Sequence, residues 1–415
     1  MWPFVLALKQ LFPPRRFPVF AFVSIMGVMC GVTALLVVQT VMNSFGEEHR
    51  KRNREAVGDV VIERSGNPLE DVAETVKGLE ALPDVAAAAA YLEGGVVLQV
   101  SENDLRFLGV RAIDVEREGA VTPMADYLYR DFTWESKGDL DDLDDERVIM
   151  GWWLAWRLGV VPGARITIQS PARLAQAIEG EKVPLPKELE VCGLIKTGFK
   201  DVDENALFVT LRTGRELFLL PPDTATKIHL KLKDHEQAAV FAEKLNSRLP
   251  RDIASYPWTE VNKFFLEAVA MEKQMLFLLM FIITLVASFS IGSTLFSQVV
   301  RRTKEIGLFG ALGARPRQIL QLFLTQGVLI GLVGFALGVG MTFLILYFRQ
   351  DIVVLMGAEE RLIKQYRFDS VPLHYNLYDF INAGVLTVVL MTFASLLPAL
   401  WAARRKPSEA MRDAG

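Results

Sequence analysis

Hydrophobic and polar positions follow two regimes along the chain. Four stretches, residues 17–45, 274–300, 318–348 and 380–403, contain no Asp, Glu, Lys, Arg or His. A helix rises 1.5 Å per residue, so about 20 apolar residues cross a roughly 30 Å hydrocarbon layer. Each stretch is long enough, and a water-soluble core does not account for four of them. They predict four transmembrane helices.

Residues 46–272 read differently, with short alternating segments separated by turn residues. Residues 57–63 (VGDVVIE) and 94–100 (GGVVLQV) predict strands, with a helix between them opened by Asn67-Pro68 and closed by Pro83-Asp84. Residues 147–150 and 164–169 predict strands around the turn at 158–163. Residues 228–234 predict another, after which Asp234 caps a helix running to about Arg248. The expected fold is therefore a membrane protein of four transmembrane α-helices with a large α+β extracytoplasmic domain inserted between helices 1 and 2. Residues 258–275 carry apolar positions at helical spacing and run into the second span, a route for mechanical coupling between domain and membrane.

Residues 170–188 (SPARLAQAIEGEKVPLPKE) interrupt the strand pattern. Such an insertion is a surface loop or a binding arm. Its candidate contacts are Arg173, Leu174, Ile178, Val183, Pro184, Leu185 and Pro186.

The averages of 51% hydrophobic and 23% charged residues mix these two regimes. The first apolar stretch is about twice a signal peptide's core and ends in the bulky Met42, Asn43 and Phe45, so it is expected to stay as an anchor. A net charge of −4 shows no global preference for nucleic acid. Cys30 falls in the first apolar stretch and Cys192 in the domain, which rules out a disulfide framework. The four histidines show no metal-site spacing. There is no Walker A loop, HExxH, GxSxG or paired-Cys motif, hence no catalytic residue, metal site or cofactor is expected in this chain. Ion-coupled transporters keep ionisable groups at depth. Their absence from the four stretches argues for energy supplied by another protein.

Charge sets the expected orientation. Lys9, Arg15 and Arg16 precede the first span. Arg301, Arg302, Lys304, Arg315 and Arg317 lie in the short loop between the second and third. Arg404, Arg405, Lys406 and Arg412 follow the fourth. The positive-inside rule places these segments in the cytoplasm. Arg50, Lys51, Arg52 and Arg54 stand on the opposite side among Glu47, Glu48 and Glu55, where a long translocated domain weakens the rule.

Within the third span Gly327, Gly331, Gly334 and Gly338 share one helical face, which lets another helix approach closely. Packing within the bundle is favoured over a dimer contact. The loop RRTKEIGLFGALGARPRQI is too apolar for a tether. Ile306, Phe309, Leu312 and Gly313 read as one side of a short helix with Glu305 near its start, either an interfacial helix or a docking element for a soluble partner.

The order of one span, a large domain and three more spans resembles the FtsX-like ABC permeases, and within them the lipoprotein-releasing LolC/LolE-type subunits. The segments that carry the resemblance are ALLVVQTVMNSF, LGVVPGARITI, FLEAVAMEKQMLFLLMFIITLVASFSI, KEIGLFGALGARPRQILQLFLTQGVLIGLVG, VPLHYNLYD and LLPALWAARRKPSEAMR. The resemblance implies a permease in the bacterial inner membrane, not itself an enzyme. It would pair with a second permease subunit, homo- or heterodimeric, on a dimer of ABC ATPase subunits that bind ATP and Mg²⁺. Acylated lipoproteins would pass from the outer leaflet to a periplasmic carrier.

The resemblance also implies roles. Glu305, Ile306, Phe309, Leu312, Gly313 and Arg317 would couple to the ATPase. Met42, Asn43, Phe45, Met271, Met275 and Phe277 would line a lipid path, and residues 170–188 would form a carrier hook, although they match the family poorly. The alternative is a non-transporting transmitter that switches a periplasmic cell-wall hydrolase.

Overall fold

The computed structural model describes residues 2–11, 19–101, 104–171, 186–357 and 371–404. The chain divides into two compact units, an α+β unit of Glu48–Glu267 and a helical unit formed by the segments up to Glu47 and from Ala268 onward.

The helical unit is built on four long helices, Val19–Val57, Lys263–Arg301, Pro316–Tyr347 and Leu377–Arg404. Each is long and apolar enough to cross a membrane. The first continues past the apolar stretch to Val57, and two ion pairs one turn apart, Glu48–Arg52 at 3.0 Å and Lys51–Glu55 at 3.9 Å, sit on this charged extension. The fourth begins at Leu377 rather than at Phe380. That corrects the expectation of uncharged helices, because Asp379 lies inside it and is buried.

The third helix is the packing centre. A Cβ on Gly334 would fall 2.6 Å from Val28 Cβ of the first helix, and one on Gly338 would fall 2.8 Å from Val32 Cβ. Gly327 and Gly331 meet Ser395 and Met391 of the fourth helix in the same way. Lipid tails are as apolar as the side chains, so helices in a membrane associate through close packing rather than through the hydrophobic effect. A helix at Trp2–Leu11, to which the sequence reading assigned no element, buries Ala7 and Leu11 and exposes Phe4, Val5 and Leu8.

The α+β unit contains strands β1 (Val60–Arg64), β2 (Val85–Ser101), β3 (Asp104–Ile113), β4 (Leu128–Tyr129), β5 (Arg147–Gly151), β6 (Arg165–Gln169), β7 (Lys187–Ile195), β8 (Ala206–Thr210), β9 (Lys227–Leu232) and β10 (Ile253–Pro257). All ten belong to one sheet. Pairings β2–β3, β3–β8, β8–β5, β5–β7, β7–β6 and β6–β2 close a six-stranded ring. Closure leaves these strands without a free edge. Beyond the ring, the first half of β2 pairs with β9, which continues to β1 and β10.

β2 is longer than the strand predicted at 94–100 because it also takes in the alanine run 86–90. Ala88 and Ala90 join the core that includes Val72 and Val76 of the helix Val72–Glu80. Ala87 and Ala89 pack with Val121 of the helix Val115–Val121. Helices cover both faces, so only small side chains fit, and this burial overrides the helix propensity of alanine.

Candidate functional site

A cavity of about 570 Å³ lies between the first, second and fourth long helices. Leu35, Val38, Met42, Leu276, Met280, Phe281, Leu386 and Val389 form much of its apolar wall. Gln39, Asn43, Lys273, Asp379 and Asn382 supply its polar positions. Gln39 Nε2 donates to Asp379 Oδ1 at 2.9 Å, and Asn43 Nδ2 donates to Asp379 Oδ2 at 2.5 Å. Each carboxylate oxygen thus accepts from one neutral amide, and with about four acceptor positions in all the group keeps capacity for more donors.

Of the residues assigned to a lipid path, Met42, Asn43 and Phe277 line this cavity. Phe45 is buried and is not part of the lining, and Met271 and Met275 are exposed. Sequence reasoning missed Gln39 and Asp379. A usable signal was present, since Gln39 and Asn43 stand four residues apart, on one helical face of an uncharged stretch.

The loop between the second and third helices forms a short helix, Thr303–Ala311. Ile306 does not face outward with the rest of its group. It is buried in a cluster with Val299, Ile319, Leu322 and Phe323. Glu305 is exposed, 3.8 Å from Arg302. Leu308, Leu312 and Arg317 are exposed, and Phe309 is half-buried. Leu312 and Gly313 lie past the helix end. Gly313 takes φ +93°, and Ala314 N donates to Phe309 O at 2.9 Å, a left-handed C-terminal cap that closes the helix and turns the chain toward Pro316.

Candidate hook residues Arg173, Leu174, Ile178, Val183, Pro184 and Leu185 lie outside the described residues. Pro186 is exposed just before β7.

Titratable groups also cluster inside the α+β unit. His229 Nε2 lies 3.2 Å from Glu118 Oε2, and Thr122 Oγ1 donates to Glu118 Oε1 at 2.9 Å. Burial alone would raise the Glu118 carboxyl, but His229, Arg111 and Thr122 outweigh it and hold the group below its ordinary value. The Arg111 guanidinium sits 4.1 Å from the Tyr91 ring centre and 3.8 Å from Glu93. Asp203, pushed up by burial, accepts from Trp152 Nε1, Thr197 N, Thr197 Oγ1 and Gly198 N at 2.9–3.1 Å. Burial pushes the Cys192 thiol up to about 11, which leaves it unreactive at neutral pH. These groups hold one another in place and order the domain.

Comparison with known proteins extends the resemblance seen in the sequence. The chain is 28% identical to a lipoprotein-releasing system transmembrane protein LolC of Neisseria meningitidis, covering 94% of this chain and 93% of the relative. It is 26% identical to a LolC of Xylella fastidiosa, covering 98% of both. A lipoprotein-releasing system transmembrane protein LolE of Haemophilus influenzae is 22% identical over 99% of both. Residues 277–407 match the FtsX-like permease C-terminal family. Residues 21–248, more than half of the chain, match the MacB-like periplasmic core domain family, and the chain belongs to that family.

Proposed function

We propose that this chain is a permease subunit of an ABC transporter that extracts lipoproteins from the outer leaflet of the inner membrane and passes them to a periplasmic carrier. The observation that carries the reading is similarity to LolC proteins over nearly the whole length, domain and helices together. A cell-wall transmitter gains no comparable support.

In this reading both termini and the helix Thr303–Ala311 are cytoplasmic, and the α+β domain projects into the periplasm between the first two spans. ATP and Mg²⁺ are bound by a separate ATPase dimer. Glu305, Phe309, Leu312 and Arg317 meet that ATPase, and Ile306 passes the push to the helices behind it. A second permease subunit completes the assembly, and residues 170–188 dock the carrier. Exposing three acyl chains of roughly 16 carbons to water costs on the order of 35–40 kcal/mol at about 0.8 kcal/mol per CH₂. The long apolar helices offer a path that avoids this exposure.

Reconstitution in proteoliposomes with the ATPase subunit, a triacylated lipoprotein and a soluble carrier tests the proposal. ATP-dependent appearance of lipoprotein on the carrier is the expected result. Hydrolysis with no lipoprotein leaving the membrane overturns it. Deleting residues 172–187 is expected to spare assembly and hydrolysis and to stop transfer to the carrier. Transfer at the normal rate removes the hook.

A further inference from the structure

We infer that the cavity between the first, second and fourth long helices binds a zwitterionic phospholipid through its headgroup, with Asp379 receiving a primary ammonium and Lys273 facing the phosphate. The cavity shares Met42, Asn43 and Phe277 with the lipid path of the proposed function, and the inference concerns which lipid headgroup it holds.

Asp379 is a buried carboxylate on the wall of an apolar cavity, a costly position unless the charge is compensated. Its two protein donors, Gln39 and Asn43, are neutral amides. Among the described residues no ion pair joins Asp379 to a cation within 4.0 Å. Among the described residues, Gln39 and Asn43 orient the carboxylate without supplying a positive charge. An ammonium group entering the cavity supplies both the missing charge and further hydrogen bonds.

Lys273, on the second helix, lines the same cavity with the opposite sign. A ligand that satisfies both groups carries an ammonium and an anion a few bonds apart on an acyl-bearing body. Phosphoethanolamine lipids have that arrangement. Val38, Met42, Phe277 and Phe281 then face the glycerol and the first part of an acyl chain. At about 570 Å³ the cavity falls within the roughly 300–1,000 Å³ range of small-molecule sites. Choline lipids carry the same phosphate but a quaternary nitrogen with no N–H, so they cannot donate to Asp379. Glycerol-headed lipids have no cation at all.

The test uses the full chain, delipidated in detergent, with retained lipid counted by native mass spectrometry and thermal unfolding followed in parallel. Dioleoyl phosphatidylethanolamine, phosphatidylcholine and phosphatidylglycerol are added separately. The ethanolamine lipid is expected to bind about tenfold or more tightly than the other two, the scale of one hydrogen bond to a charged group. Asp379→Asn is expected to abolish that preference. Lys273→Gln, at an exposed position that leaves folding intact, is expected to weaken binding of all three lipids. Equal binding of ethanolamine and choline lipids by the unaltered chain overturns the inference, as does a preference that survives both substitutions. A third overturning result is capture of a diacylglyceryl-modified peptide with a free amino terminus while the ethanolamine lipid fails to bind.

Discussion

In the α+β unit, the buried carboxylate of Glu118 has His229 and Thr122 within hydrogen-bonding distance, and that of Asp203 accepts from four donors. In the helical unit, the buried carboxylate of Asp379 has two amides and opens onto a cavity. The domain treats charge as something to be closed off, because water outside the core rewards every polar group that stays outside it. The bundle has no such solvent around its apolar length, and it keeps one charge available where a ligand can enter. The same contrast governs packing. The domain fills its core with Val, Leu and Ile from alternating strand positions, while the bundle brings backbones together at glycines.

The largest effect is expected from opening the closed network. His229→Ala removes a hydrogen-bond partner of the buried Glu118 carboxylate and leaves a cavity where the ring stood, a loss of about 2–5 kcal/mol for the α+β unit. Thermal unfolding of the full chain measures it, and a loss below about 1 kcal/mol would mean that the network adds little. The pH dependence has a definite sign. The folded Glu118 carboxyl lies below its ordinary value of 4.5, so its contribution is complete above that value and declines as pH falls through the folded value. Glu118→Gln is expected to flatten that acid decline.

Overpacking the glycine face comes next. Gly334→Leu drives a side chain into Val28, and the first and third helices must separate, at a cost of about 1–3 kcal/mol or more. The readout is thermal stability in detergent. An unchanged midpoint would mean that the contact yields freely and the bundle is not set by it.

Glu305→Lys separates stability from transmission. The carboxylate is exposed, 3.8 Å from Arg302, near the start of the helix Thr303–Ala311. A cation there opposes the helix dipole by only about 0.3–1 kcal/mol. Folding is expected to persist while ATPase binding or coupling falls, read by co-purification of the ATPase and by its hydrolysis rate with and without lipoprotein. Normal binding with normal coupling removes Glu305 from the mechanism, and the same result for Phe309→Asp removes the segment.

Strong periodic signals were legible in the sequence. The four uncharged stretches overlap the long helices almost throughout, and β1, β5, β6 and β9 overlap the stretches that alternate most clearly. Signals that depend on what lies opposite were not legible. The alanine run 86–90 is a strand because helices cover both its faces. Ile306 turns inward because Ile319, Leu322 and Phe323 stand behind it. Asp379 escaped because it sits one residue ahead of the fourth uncharged stretch, where a boundary drawn on charge discards the residue of most interest. Glycine spacing marks a face, but which helix each glycine meets depends on the arrangement of three helices in space.

The smallest expected effect compares the two solvents directly, at Gly78 of the helix Val72–Glu80 and Gly340 of the third long helix. Apart from the adjoining backbone of its own helix, neither has an atom within 4 Å of where a Cβ would stand, so alanine fits at both. In water, alanine stabilises a helix over glycine by about 0.5–1 kcal/mol, chiefly because the unfolded glycine chain has more conformations to lose. Gly78→Ala is therefore expected to raise the unfolding midpoint of the α+β unit by a few degrees at most. In a bilayer or micelle the backbone groups of a separated apolar helix have no water to bond with, so the chain stays helical even without its partners. The reference state at Gly340 is already ordered, and Gly340→Ala is expected to change stability by much less. Thermal unfolding of both variants in the same detergent decides it. Equal gains at the two positions would show that the third helix unravels with the bundle rather than separating from it intact.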